Sequence, residues 1–337
     1  MKNFLTIISF IACVFAPALG AEDFEQLIQD GVKLHDAGKY REAIEQYDKA
    51  LKINPKSCMA IYEKVFSLWS AKETDEAIKT GEAVAQTDCK KHTNLRMLLA
   101  SAYDDRGENA KAVALLKGLV QEAPNNHFMH YNLAISLSRA GLNKEAEQSL
   151  QAALRLEPRH FSSHYALGRI LYASNQRAKA MLCYYMALLI EPAGKRSAEI
   201  MRYIDEYYAG LATEKNDKEI TLNVASAGDG DSAAFSDLTI GMGAALAKSK
   251  KKNRDEAFAD ITLAYLQILA ELRPKNNGFY WSQYVDFFSA LKAAKHDAAF
   301  VRVIQVSSSE TARSWIDANK EKALMLQEWL KARLTKP

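Results

Sequence analysis

The chain has 337 residues, of which 48% are hydrophobic and 25% are charged, values typical of a soluble globular protein. This composition excludes a disordered tail and a multispan membrane protein. Lys and Arg number 44 against 41 Asp and Glu, a balance that argues against a nucleic-acid binder working through bulk charge. With only 15 Gly and 7 Pro, the sequence favours long helices over a β fold with many turns.

The first 20 residues have the layout of a secretory signal peptide (1–20). One positive charge at Lys2 precedes the apolar run 4–14, and small residues flank a cleavage point after Gly20. The run is short for a membrane span, and a retained N-terminal anchor is the alternative. The sequence therefore predicts a periplasmic or secreted protein that begins at Ala21 and has no membrane span after cleavage.

From Phe24 onward the chain repeats itself in five units. Their bounds are 24–57, 58–92, 93–126, 127–160 and 161–194. One column of the units is always alanine (Ala43, Ala77, Ala112, Ala146, Ala180), and another is proline except at Cys89 (Pro55, Pro124, Pro158, Pro192). A third column holds Gly38, Gly107, Gly141 and Asn175, with Lys72 as the exception. Because Gly and Asn tolerate the conformation that ends a helix and proline terminates one, each unit is predicted to be two antiparallel helices.

Together these columns resemble five tetratricopeptide repeats, within a predicted domain at 21–194. The match is close in segments such as 31–43 and 131–134, and it is weakest in unit two. The resemblance implies an all-α fold, a right-handed α-α superhelical solenoid in which stacked hairpins bury faces that one hairpin cannot cover. It also implies a protein or peptide partner bound in a concave groove.

In this family the first helix of each repeat lines the groove. Carried over by position, the predicted peptide-binding residues are Tyr62, Phe66, Trp69, Met97, Tyr131, Asn132, Tyr165, Arg169 and Tyr172, and the same carry-over adds His35 and Asp105. Aromatic and Met side chains suit an apolar peptide or an extended segment of a partner. The alternative is that several of these aromatics pack beneath C-terminal helices as core.

Unit two also carries a pair of cysteines. Cys58 opens the unit, and Cys89 stands where the other units end in proline. The two ends of an antiparallel helical hairpin lie side by side, so a disulfide between Cys58 and Cys89 is predicted, and export would allow it to form. Two unpaired thiols are the alternative. Cys183 lies in an apolar helix and is predicted to be a small core residue.

Four histidines, His127, His130, His160 and His164, fall near the starts of units four and five. They are a weak candidate for a metal site, because their spacing matches no strong zinc pattern and no cysteine completes the set. The sequence therefore predicts neither a metal nor a cofactor.

Residues 195–337 are predicted to be a C-terminal helical region of degenerate hairpins that cap the solenoid. Helices are expected at 197–212, 233–248, 254–272 and 309–333, with an aromatic-dense segment at 279–294. The repeat columns themselves end at Gly194.

No catalytic motif stands out along the chain. The sequence favours a non-enzymatic exported scaffold or adaptor, in a cell-envelope assembly, that binds a protein or extended peptide in an aromatic-lined groove. A glycan- or peptidoglycan-binding envelope protein is the first alternative, because aromatic faces also stack on sugars. An enzyme without a recognised motif in residues 195–337 is the second.

Overall fold

The computed structural model describes residues 19–84, 89, 92–216, 219–222 and 252–334. The chain divides into two compact units, Met1–Leu119 and Val120–Pro337, and the division falls within the sixth helix. The predicted signal segment up to residue 18 and the predicted helix at 233–248 lie outside the described residues. Within the described ranges, no helix combines the length and the apolar character needed to cross a bilayer.

The repeat region forms consecutive antiparallel helical hairpins. The helices are α1 (Leu19–Asp36), α2 (Tyr40–Ile53), α3 (Cys58–Ser70), α4 (Thr74–Val84), α5 (Thr93–Asp105), α6 (Asn109–Glu122), α7 (His127–Arg139), α8 (Asn143–Leu156), α9 (Phe161–Ala173) and α10 (Arg177–Ile190). Four predicted units begin at the first residue of an odd-numbered helix: Cys58, Thr93, His127 and Phe161. The all-α fold of repeated hairpins is therefore confirmed.

Each hairpin turns through a residue in the left-handed conformation. The φ angles are 75° at Gly38, 67° at Lys72, 84° at Gly107, 77° at Gly141 and 60° at Asn175. Lys72 therefore has the same left-handed backbone conformation as the Gly and Asn residues of its column, although its residue type differs. Since a lysine side chain crowds the backbone at this φ, the turn between α3 and α4 is strained.

The alanine column is fully buried in every hairpin, at Ala43, Ala77, Ala112, Ala146 and Ala180. A larger side chain at these positions would push the two helices of a hairpin apart. Cys183 is also fully buried, as a free thiol on α10.

After the repeats, the described residues form a further set of short elements. They are α11 (Lys195–Gly210), the antiparallel strands β1 (Ala212–Asn216) and β2 (Glu219–Leu222), α12 (Arg254–Leu272), a π-helical turn (Trp281–Val285) that leads into α13 (Asp286–Ala293), α14 (Asp297–Val303), α15 (Glu310–Ala318) and α16 (Lys320–Leu334). The β-hairpin was not predicted. The single helix predicted at 309–333 is two helices, because Asn319 leaves the helical conformation and its side-chain amide donates to the carbonyl of Trp315.

Helix α11 packs on α9 in the register of the repeats. Three side-chain hydrogen bonds join residues 34 apart: Arg196 to Ser162 at 3.0 Å, Tyr165 to Glu199 at 2.7 Å and Tyr172 to Glu206 at 3.5 Å. The stacking period therefore continues past Gly194, although the residue columns end there.

Candidate functional site: aromatic faces of the first helices

In the compact unit Met1–Leu119, rings from α1, from α3 and from the residue that caps α5 form one cluster. The cluster consists of His35, Tyr62, Phe66, Trp69 and His92. We call it the unit-one aromatic cluster after the first compact unit, Met1–Leu119, and not after the first repeat. Phe66 stacks on His35 with ring centroids 4.4 Å apart, and Tyr62 and Trp69 lie at 6.1 and 6.3 Å from Phe66. All five side chains are half-buried. The structure thus brings together the predicted residues Tyr62, Phe66 and Trp69.

Polar contacts fix the edges of two of these rings. Nε1 of Trp69 donates a 2.8 Å hydrogen bond to Oδ2 of Asp105, and Nδ1 of His35 lies 2.7 Å from Oγ of Ser67. Phe66 already stacks on His35, and the Lys72 ammonium lies 6.0 Å from the centroid of the Trp69 ring. Two rings of the cluster, Trp69 and His35, are therefore held in position by contacts within the chain.

A carboxylate, that of Glu63, lies near the Tyr62 end of the cluster. Burial, with the nearby Glu63 carboxylate, raises the pKa of Tyr62. Burial, with the charge of Asp36, also raises the pKa of Glu63. No Lys or Arg of the described residues forms an ion pair with Glu63. A cation placed here would stabilise the ionised Glu63.

In the unit Val120–Pro337, the predicted residues Tyr165, Arg169 and Tyr172 lie against α11. Tyr165 and Tyr203 both donate to the Glu199 carboxylate, at 2.7 and 3.0 Å, and these hydrogen bonds lower the pKa of Glu199. Burial and the bond to Glu199 raise the pKa of Tyr165 to about 12. These hydroxyls are therefore already satisfied within the chain, so the first helix that follows the repeats engages this part of the predicted surface.

The other predicted residues lie at separate points. Tyr131 meets His160 edge-on at 5.1 Å, beside the exposed ring of Phe128. Asn132 is half-buried on α7, and Met97 is half-buried on α5.

The histidines of units four and five hold the ends of the repeats. Nε2 of His130 lies 2.7 Å from the carbonyl of Pro124, and Nε2 of His164 lies 2.9 Å from that of Pro158. A carbonyl can only accept, so each Nε2 is the donor. In the described part of the chain, no three His, Cys, Asp or Glu side chains are grouped to hold a metal ion.

The cysteines of unit two lie next to the aromatic cluster. Cys58 and Cys89 form a disulfide pair with Cα atoms 5.3 Å apart. Three residues after Cys89, His92 caps α5 through its Nδ1, which accepts from the amide of Leu95, and its ring packs 5.6 Å from Tyr62.

Sequence reasoning missed three residues of these faces: His92, Glu199 and Tyr203. His92 precedes its helix as a cap, so the carry-over from helix positions did not reach it. Glu199 and Tyr203 lie on α11, where the columns have ended. A search for polar residues that can hydrogen-bond to each other at a spacing of 34 would have found Glu199. The search for the same residue type at that spacing could not find it.

These features define a protein of stacked helical hairpins, the solenoid class. A tetratricopeptide repeat model matches residues 31–159, and a second one matches residues 131–195. Residues 31–195 of this chain belong to the tetratricopeptide repeat family. Its fold is typical of protein–protein interaction scaffolds.

Several solved structures are similar over about half of the chain. MamA of Desulfovibrio magneticus RS-1, from residue 41 to its end, is 14% identical, covers 51% of this chain and 96% of its own, with a TM-score of 0.46. TTC0263, a thermophilic TPR protein of Thermus thermophilus, is 24% identical, with coverages of 54% and 97% and a TM-score of 0.44. YrrB, described as a TPR protein with an unusual peptide-binding site, is 18% identical, with coverages of 56% and 98% and a TM-score of 0.44. No curated protein matches the chain.

Proposed function

We propose that this protein is an exported, non-catalytic adaptor that binds an extended peptide segment of a partner on the unit-one aromatic cluster. The observation that carries the proposal is the stack of Tyr62, Phe66 and Trp69, whose rings are half-buried and of which Trp69 is fixed by its hydrogen bond to Asp105. Clustered aromatic anchors of this kind supply most of the binding energy at protein interfaces.

The charge of Glu63 indicates which peptides should bind best. Glu63 has no cationic partner among the described residues, and its pKa is raised by burial and by Asp36. A Lys or Arg in the peptide would offset the repulsion between the Glu63 and Asp36 carboxylates, while neighbouring apolar side chains of the peptide cover the rings. The expected ligand is thus an extended segment with a basic residue beside aromatic or aliphatic ones.

The proposed location is a periplasm or the cell exterior, within an envelope assembly. Its support is the apolar N-terminal segment in the sequence, together with the disulfide pair of Cys58 and Cys89, which suits an oxidising compartment.

Peptide selection on the intact protein tests the binding proposal. Random peptides displayed on phage are selected on immobilised protein, and the enriched peptides are synthesised and titrated. Trp69→Ala should weaken their binding by about 30-fold, the loss typical of a central aromatic anchor. Glu63→Gln should weaken peptides that carry a basic residue more than matched peptides with Gln in its place.

Trp315→Ala provides the matched control, because Trp315 is a half-buried tryptophan on α15, in the other unit. It should leave peptide affinity unchanged. If no peptide is enriched, or if Trp69→Ala binds as tightly as wild type, the proposal is wrong. Binding to isolated peptidoglycan sacculi that Trp69→Ala abolishes, without peptide enrichment, would instead support a glycan ligand.

A further inference from the structure

A second apolar concavity lies in the unit Val120–Pro337, away from the aromatic faces. It has a volume of about 560 Å³ and is partly open to solvent. Its wall includes Leu189 and Ile190 of α10, Val303 of α14, and Leu324 and Leu330 of α16. We call it the α16 groove. A concavity of this volume is within the range of sites that take small ligands, about 300–1,000 Å³.

The rim of the α16 groove is positively charged. Its lining includes three cationic side chains, Arg159, Lys320 and Lys331, and one carboxylate, Asp317. In the part of the chain that the structure describes, none of these three cations forms an ion pair. An apolar wall beside unpaired cations is complementary to a ligand with an apolar body and a negative head.

The groove runs along one helix. The lining residues of α16 extend from Lys320 to Leu334, a length of about 21 Å at 1.5 Å per residue. An extended hydrocarbon chain is narrow and flexible, so a groove of this length with apolar walls can take it.

We propose that the α16 groove binds a fatty-acid anion, with the hydrocarbon chain along α16 and the carboxylate against one lining cation at an end of the groove. The proposal assigns this face a ligand distinct from the peptide of the unit-one aromatic cluster. Either proposal can therefore fail without the other.

Calorimetric titration of the full chain with dodecanoate, below the concentration at which it forms micelles, tests the proposal. Leu324 and Met325 are neighbours on α16, are 56% and 54% exposed, and differ in that only Leu324 lines the groove. Leu324→Glu should weaken dodecanoate binding at least tenfold, because it places a carboxylate in the groove. Met325→Glu should leave the affinity unchanged, and both variants should keep the wild-type melting temperature.

The rim is tested separately with surface substitutions. Lys320 and Lys331 lie about 16 Å apart along α16, so Lys320→Gln and Lys331→Gln are measured singly. The variant at the cation that contacts the carboxylate should weaken dodecanoate by about fivefold, since one exposed ion pair contributes modestly, and the other should have little effect. Arg333→Gln, at an exposed cation of the same helix outside the groove, should have no effect.

Several results would overturn the proposal. They are an absence of saturable dodecanoate binding to wild type, equal losses in Leu324→Glu and Met325→Glu, and displacement of dodecanoate by peptides that bind the unit-one aromatic cluster. A dimer that Leu324→Glu dissociates and dodecanoate does not would assign the groove to contact between two copies of the chain.

Discussion

Gly168 on α9 lies directly beneath the ring of Tyr184 on α10. A Cβ atom added at Gly168 would stand 2.6 Å from Cδ1 of Tyr184, closer than real side chains approach. Gly31 and Tyr47 repeat this arrangement in the first hairpin, where the added Cβ would lie 2.7 Å from Cζ of Tyr47. In both hairpins the two positions therefore compensate in volume, since a glycine on the first helix makes room for a tyrosine on the second.

Gly168→Ala should accordingly destabilise the protein by about 2 kcal/mol, because the core there is already full. Urea unfolding followed by circular dichroism measures the effect. Gly118→Ala is the control: its added Cβ meets only the flexible end of Arg96 at 3.5 Å, so the gain in helix propensity, about 1 kcal/mol, should stabilise.

For the same pair, the stability changes caused by substituting Gly168 and Tyr184 should not be additive. Ala134 and Leu150 occupy the corresponding positions of the fourth hairpin, and both are fully buried. In a Tyr184→Leu background, Gly168→Ala should therefore cost less than about 0.5 kcal/mol. Additive losses in the double variant would show that Tyr184 does not limit the size of residue 168.

Lys72→Gly should stabilise the protein by about 1 kcal/mol. Lys72 has a φ of 67°, a conformation that costs a residue with a Cβ about 1–2 kcal/mol and costs glycine almost nothing. The measurement is the urea midpoint of the variant against wild type. Asn175→Gly, at the equivalent turn with a φ of 60°, should gain less, because asparagine tolerates this conformation. A midpoint for Lys72→Gly at or below wild type would contradict the strain at this turn.

Much of the repeat fold could be predicted because its packing demands specific residue types. Only small residues fit where two helices touch, and glycine or asparagine is favoured at the turns, so the 34-residue columns locate the helices. The Lys72 turn shows that backbone geometry can persist where the residue type does not.

The candidate site was less predictable, because it depends on partners from other elements. Position within the first helix identified Tyr62, Phe66 and Trp69, whose neighbours come from adjacent repeats. It could not indicate that Glu199 would bind the hydroxyl of Tyr165, since α11 has none of the columns. The β-hairpin from Ala212 to Leu222 carried no periodic signal either.

His164 should make stability depend on pH. It is fully buried, and desolvation lowers its pKa from 6.5 to about 4. Since its Nε2 donates to the carbonyl of Pro158, Nδ1 accepts from the hydroxyl of Tyr284 at 2.8 Å. Between pH 6.5 and 4 the unfolded chain takes up a proton here that the folded protein does not, so the free energy of unfolding falls as pH falls.

The stability advantage of wild type over His164→Gln should therefore shrink by about 3 kcal/mol between pH 7 and pH 4. Urea unfolding of both proteins at several pH values measures this difference. The contributions of the other titrating groups cancel because both proteins contain them. His130→Gln controls for loss of the same proline-carbonyl contact at a half-buried position. An advantage over His164→Gln that stays constant with pH would show that His164 protonates without loss of packing.

The pair Cys58–Cys89 closes a loop with a sequence separation of 31. Because a cross-link of this length restricts the unfolded chain, the double variant Cys58→Ser/Cys89→Ser should lose about 3 kcal/mol of stability. Thermal unfolding with and without reductant measures it: reductant should lower the melting temperature of wild type to that of the variant and leave the variant unchanged.

Alkylation under denaturing conditions provides the chemical test. A recombinant chain that begins at Ala21 contains three cysteines, Cys58, Cys89 and Cys183. With the disulfide formed, one thiol should be alkylated without reductant, that of Cys183, and all three after reduction. Alkylation of all three without reductant would contradict the disulfide.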